Sequence, residues 1–91
     1  MKLDHVSYAC GPEGLTTTAD RIAEQLGLRY VKGGVHPRFG TRNVFFPLRN
    51  HQYLEVVEVL DHPATLQQPF GKAVRERSEM GGGWMGWVVS V

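Results

Sequence analysis

The stretch HQYLEVVEV, His51 to Val59, decides the fold, because it holds the longest strand signal in the chain and two carboxylates within it. On a strand with alternating faces, Glu55 shares a side with Tyr53, Val57 and Val59, and Glu58 shares the other with Leu54, Val56 and Leu60. At least one carboxylate therefore stands on a largely apolar face. A buried, unpaired carboxylate costs several kcal/mol unless it neutralises, pairs or meets a metal. The strand needs a partner from elsewhere in the sequence.

Upstream, LDHVSYAC (residues 3–10) reads as a first strand that ends at the turn-forming GPEG, with Leu3, His5 and Ser7 on one face and Asp4, Val6 and Tyr8 on the other. TTTADRIAEQLG has a threonine cap region, apolar Ala19, Ile22, Ala23 and Leu26 at helical spacing, and Gly27 where a helix stops. RYVKGGVH is a short strand broken by Gly33-Gly34, and HPRFGT is a loop. RNVFFPL is a third strand, with Pro47 arguing for an edge position or a bulge, and RNH turns the chain into the fourth.

Downstream, DHPATLQQP is a loop, Pro69-Phe70 opens a second helix through FGKAVRERSE, and the glycines at 81–83 stop it. WMGWVVSV then reads as a strand running to Val91, which is expected to pair at an edge or across a subunit boundary, or to belong to a longer sequence. It aligns with LDHVSYAC when Trp87-Val88 is laid over His5-Val6, as the opening of a second copy would. The expected fold is α+β: one βαβββ unit at 1–60, then a helix and the start of a second unit at 69–91, within a single domain paired with a second chain.

Size and composition narrow the function. Ninety-one residues with 42% apolar and 21% charged content form one ordinary globular domain. So short a chain buries only about 60–65% of its unfolded surface, which favours a homodimer. A net charge of +1 with scattered Lys and Arg argues against nucleic-acid and membrane-surface partners. Cys10 is the only cysteine, so no disulfide framework forms within one chain, and a reducing compartment fits. The N-terminus lacks the apolar run of a signal peptide, and the expected location is cytoplasmic.

The first and fourth strands of a βαβββ unit bring His5 and Glu55 together on the sheet face away from the helix. An imidazole and a carboxylate converging on a concave face suit a divalent metal, which takes N and O donors. Two donors are too few for a tight site, so a second unit must supply the rest.

With these residues in place, the sequence resembles the vicinal oxygen chelate superfamily, and more closely its glyoxalase-like branch. The resemblance rests on LDHV at 3–6, HPRFGTRN at 36–43 and YLEVV at 53–57, and it extends over essentially the whole chain. It implies two βαβββ units set edge to edge around a cup, with metal ligands on the first and fourth strands of each. His5 and Glu55 then correspond to the ligands of the first unit, for zinc, nickel, manganese or iron, and Glu55 or a metal-bound water would move a proton. Trp87 occupies the place where the second unit's first strand should offer a ligand. Two copies of the chain would bring both His5–Glu55 pairs around a two-fold axis. Alternatively, the cup is a metal-free pocket walled by Phe45, Tyr53, Trp84 and Trp87.

Position suggests roles for further residues. His36 lines the cup mouth or shapes its loop with Pro37 and Gly40. Arg38 and Arg42 offer guanidinium forks for an anionic substrate or stand as solvated surface charges. Asn43 and Thr41 hydrogen-bond within the loop. Glu58 is a salt-bridged or solvent-facing residue held in reserve as a ligand. Gly81–Gly83 lacks the context of a phosphate loop. Cys10 has no neighbouring base in the sequence. Three functions follow: a metal-dependent lyase, isomerase or dioxygenase acting on a small molecule with vicinal oxygens; a non-enzymatic binding domain of the bleomycin-resistance type; or an inactive half of a longer enzyme.

Overall fold

The computed structural model describes residues 2–36, 40–60 and 68–90. Its elements run β1 (Lys2–Ala9), α1 (Leu15–Leu26), β2 (Val31–His36), β3 (Thr41–Pro47), a short turn at Arg49–His51, β4 (Tyr53–Val59), α2 (Pro69–Glu79) and β5 (Gly83–Ser90). The strands form one sheet in the order β2-β3-β4-β1-β5. β1 is parallel to β4, placing His5 beside Tyr53 and Ser7 beside Glu55, and every other pairing is antiparallel. This is the expected βαβββ unit followed by a helix and a strand.

The two-residue period sorts β1, β3 and β4 into two faces. Val44, Phe46, Leu54 and Val56 join Cys10, Leu15, Ala19 and Ile22 under α1, with Val6 and Tyr8 packed at the margin. Full burial of a side chain such as Phe46 or Val56 stabilises by roughly 1.5–3 kcal/mol, so this layer contributes much of the fold's stability. On the opposite face, α2 covers one end only, where Val74 meets Ala9 and Val57 with Phe70, Val59 and Met85 around them. Among the described residues no helix covers the other end of that face, which carries His5, Phe45, Tyr53 and Glu55.

Two expectations change. The threonines do not cap α1: the helix is capped at Gly14, which has no side chain to offer, and Thr18 is buried inside it. Pro47 stands on the inner strand β3, but at its very end and beyond the last residue paired with β2, so no ladder bond is lost there. β5 takes the edge placement that was one of the expected alternatives, lying antiparallel against β1 of its own chain. In its register Val88 stands opposite His5 and Trp87 opposite Val6. Among the described residues no helix is long and apolar enough to cross a membrane.

Candidate functional site

The two carboxylates of β4 have separate partners. Glu58, on the α1 face, accepts the Leu15 backbone N–H at 2.9 Å through Oε2 and receives Arg42 Nε at 2.6 Å on Oε1. Its position puts a negative charge at the N-terminus of α1, where unpaired N–H groups and the helix dipole favour one. Glu58 is therefore a structural cap and ion pair rather than a spare ligand. Arg42, committed to Glu58, does not serve the opposite face.

Glu55 stands on the open face, and its carboxylate is held at both oxygens. Ser7 Oγ donates to Oε1 at 2.8 Å, and Asn43 Nδ2 donates to Oε2 at 2.5 Å. The amide of Asn43 is itself oriented, because the Gly34 N–H donates to its Oδ1 at 3.0 Å and leaves the NH2 end facing Glu55. That contact depends on the register shift between Lys32 and Val35, which carries Gly33-Gly34 across Asn43. A Cβ at Gly33 would fall 1.9 Å from Asn43 Oδ1, so only glycine leaves the amide room.

His5 completes the group. Its Nε2 stands 4.0 Å from Glu55 Oε1, its Nδ1 is 2.8 Å from Asp4 Oδ2, and its ring stacks on Tyr53 with centroids 4.5 Å apart and planes at 8°. The His5 and Glu55 side chains are only 15% and 12% exposed, so both work in a partly dry site. Phe45 packs at an angle against Tyr53, at 5.5 Å between centroids. Burial, with the Asp4 and Glu55 charges nearby, raises the Tyr53 phenol above its usual range and keeps it a neutral donor. Beside this group, Gly33, Gly34, Asn43, Phe45 and Tyr53 line an open groove of about 460 Å³.

The donor set fits a divalent metal as a half-site. Two donors on a tetrahedral ion, each about 2.1 Å from it, lie about 3.4 Å apart, close to the His5–Glu55 separation of 4.0 Å. Among the described residues, however, no three His, Cys, Asp or Glu side chains gather in a metal-holding group. The position on β5 opposite His5 is Val88, which has no donor.

The remaining site candidates divide. The structure brings His5, Asn43, Tyr53 and Glu55 together. Trp87 is 74% exposed and opposite Val6, whose side chain packs toward α1, so it faces away from the cup. Trp84 meets Tyr8 edge to face at 5.0 Å and borders α2, so neither tryptophan walls the pocket. His36 ends β2 opposite Thr41, and Arg38 lies outside the described residues. The Cys10 thiol is pushed up to about 11, first by burial and then by the Glu58 charge, which leaves it protonated and inert near neutral pH.

Sequence reasoning did not assign roles to Asp4 and Ser7. Ser7 shares the His5 face by simple alternation, which was signal enough. Asp4 carried no such signal, since alternation sends it to the other face.

A family model described as a glyoxalase-like domain matches residues 3–91. No curated protein matches the chain. Among solved structures, methylmalonyl-CoA epimerase from Mycobacterium tuberculosis is 17% identical with a TM-score of 0.68, over 94% of this chain and 52% of that one. A methylmalonyl-CoA epimerase solved with methylmalonyl-CoA is 16% identical with a TM-score of 0.71, over 94% and 57%. A variant of the Streptomyces coelicolor epimerase is 16% identical with a TM-score of 0.69, over 96% and 59%. The likeness is one of fold, and this chain spans little more than half the length of each of these three structures.

Proposed function

We propose that this chain, which belongs to the glyoxalase-like domain family of the vicinal oxygen chelate superfamily, forms half of a cup that binds a divalent metal and acts on a small molecule with adjacent oxygen atoms. The observation that supports this reading is the approach of His5 Nε2 to Glu55 Oε1 at 4.0 Å on a face left open by both helices. A bound metal would supply Lewis-acid polarisation of the substrate oxygens. His5 and Glu55 hold it from this side, and a second βαβββ unit supplies the other donors. Ser7 and Asn43 keep the Glu55 carboxylate in one orientation, so it is placed to take or return a proton beside the oxygens. Phe45 and Tyr53 exclude water and give the substrate an apolar wall. The reaction class is isomerase, lyase or dioxygenase; methylmalonyl-CoA epimerases, whose fold this chain shares, represent the first of these.

The reading carries an assignment of parts: 1–60 as the first unit, 69–91 as the linking helix and the opening strand of a second, in one cytoplasmic domain that works as a homodimer. Metal content per chain tests it, measured by elemental analysis on protein of known light-scattering mass after loading with zinc, nickel, manganese or iron(II). About half a metal per chain in a dimer is expected from a shared two-fold site, and both His5→Ala and Glu55→Ala should abolish it. No metal under any loading would remove the proposal.

The apolar Val88 opposite His5 favours a second reading, a non-catalytic binding domain that uses the groove beside Asn43, Phe45 and Tyr53. In that case thermal-shift screening finds small-molecule ligands whose binding survives chelators and Glu55→Gln.

A further inference from the structure

Asp4 and His5 are neighbours in sequence, and regular alternation would put their side chains on opposite faces of β1. They nevertheless meet, with Asp4 Oδ2 2.8 Å from His5 Nδ1. The β1–β5 register explains how. Leu3 stands opposite Val89 and His5 opposite Val88, so β1 carries one extra residue between them, and that residue is Asp4. An extra residue of this kind breaks the alternation and re-aims a side chain.

We infer that Asp4 is a positioning residue: the β1 bulge swings its carboxylate beside His5, fixing the proton on Nδ1 and leaving the Nε2 lone pair turned toward Glu55. An ionised carboxylate only accepts hydrogen bonds, so the nitrogen it meets must carry the hydrogen. The other nitrogen is then the free donor, as a metal-binding histidine or a base requires. Stacking on Tyr53 holds the plane of the ring, and a half-turn about Cβ–Cγ is disfavoured because it would put Cδ2 where Nδ1 meets Asp4 and Cε1 where Nε2 faces Glu55. A β-bulge beside a catalytic group thus has a use here that a regular strand would not provide.

The metal-binding consequence rests on the function proposed above, but the tautomer does not, and the two are measured separately. Long-range proton–nitrogen correlation spectra of metal-free protein, at a pH where the ring is neutral, read which His5 nitrogen bears hydrogen. The expected result is Nδ1–H in the wild type and in Asp4→Asn, whose side-chain oxygen still accepts, with loss of that preference in Asp4→Ala. Asp4 is substantially exposed, so both variants are expected to fold, which circular dichroism checks. Zinc titration should then show affinity reduced about 10- to 100-fold in Asp4→Ala, the usual effect of losing a carboxylate behind a ligating histidine, and restored in part by Asp4→Asn. Nδ1–H in the wild type without zinc binding upholds the positioning role while removing the metal site. An Nε2–H tautomer in the wild type, or an Asp4→Ala spectrum identical to it, overturns the inference.

Discussion

Replacing Glu58 with alanine should destabilise the fold without touching the open face. The side chain serves two partners at once, accepting the Leu15 N–H at the start of α1 and pairing with Arg42. Loss of a helix cap costs about 1 kcal/mol, and loss of a negative charge at the helix N-terminus about 0.5 kcal/mol more. The Arg42 guanidinium is half exposed, so solvent screening reduces that pair to about 0.5 kcal/mol. The sum is about 2 kcal/mol, a large part of the roughly 5–14 kcal/mol available to a domain of this size, and it should lower the melting temperature by about 8–16 °C. Urea unfolding followed by circular dichroism at neutral pH gives the comparison. Glu58→Gln, which keeps an acceptor for Leu15 but loses the charge, should cost about half as much, and Arg42→Ala only about 0.5 kcal/mol. The reasoning fails if Glu58→Ala lies within 0.5 kcal/mol of wild type, or if Arg42→Ala costs as much as Glu58→Ala, since the cap would then contribute nothing.

Gly33→Ala should displace the Asn43 amide, because the new Cβ meets its Oδ1, and should weaken zinc binding about 10-fold through the freed Glu55; an unchanged zinc titration would refute the link. The Cys10 thiol, raised from 9.0 to about 11 chiefly by burial, should resist iodoacetamide in the folded protein. Because its folded value is raised, its share of stability is complete below pH 9 and is lost as pH climbs through the folded value near 11, at up to about 1.4 kcal/mol per unit; the stability of Cys10→Ala should fall less over that window, and parallel curves would contradict this. Leu3→Cys with Val89→Cys, opposite each other on β1 and β5 and joined in a Cys10→Ala background, should give a cross-link of single-chain mass on a non-reducing gel; a cross-link of double mass would mean that β5 is exchanged between chains.

Most of the architecture was legible because it follows from period and punctuation. Alternation in Tyr53–Val59 put Glu55 and Glu58 on opposite faces, and the β-α-β order brought His5 to Glu55. What escaped the reading is where the period fails. Asp4 is assigned to the wrong face by alternation because β1 bulges at that residue, and a bulge depends on the partner strand, which local sequence does not specify. The second irregularity of the same pair, between Ser7 and Tyr8, skips Met85 in the register and likewise depends on the pairing rather than on local sequence. The capping role of Glu58 was equally hidden, because its partner is a backbone N–H from a helix 43 residues away, and a backbone group has no letter of its own. Asn43 could be read as a hydrogen-bonding loop residue, but its direction comes from Gly34 across the sheet.

The position of β5 also limits how a second unit can complete the cup. A partner that added its own β1 directly beside this β1 would need the edge that β5 already occupies. Two routes bring a second copy's His5 and Glu55 to this face. In one, the open faces meet, bringing two His5–Glu55 pairs together without moving a strand and burying Phe45 and Tyr53 between them. In the other, β5 leaves its chain by a hinge at Gly81–Gly83, where all three glycines have positive φ. The hinge is not free, however: at Gly82 a Cβ would lie 2.8 Å from both Ala9 O and Gly11 N, so this glycine is packed against the end of β1 as well as bent. Opening it gives up that close packing along with the β1–β5 ladder, whereas face-to-face contact gives up only solvent. Of the two, the face-to-face dimer asks less of the fold, and a single-chain cross-link between positions 3 and 89 in a protein that still dimerises would select it.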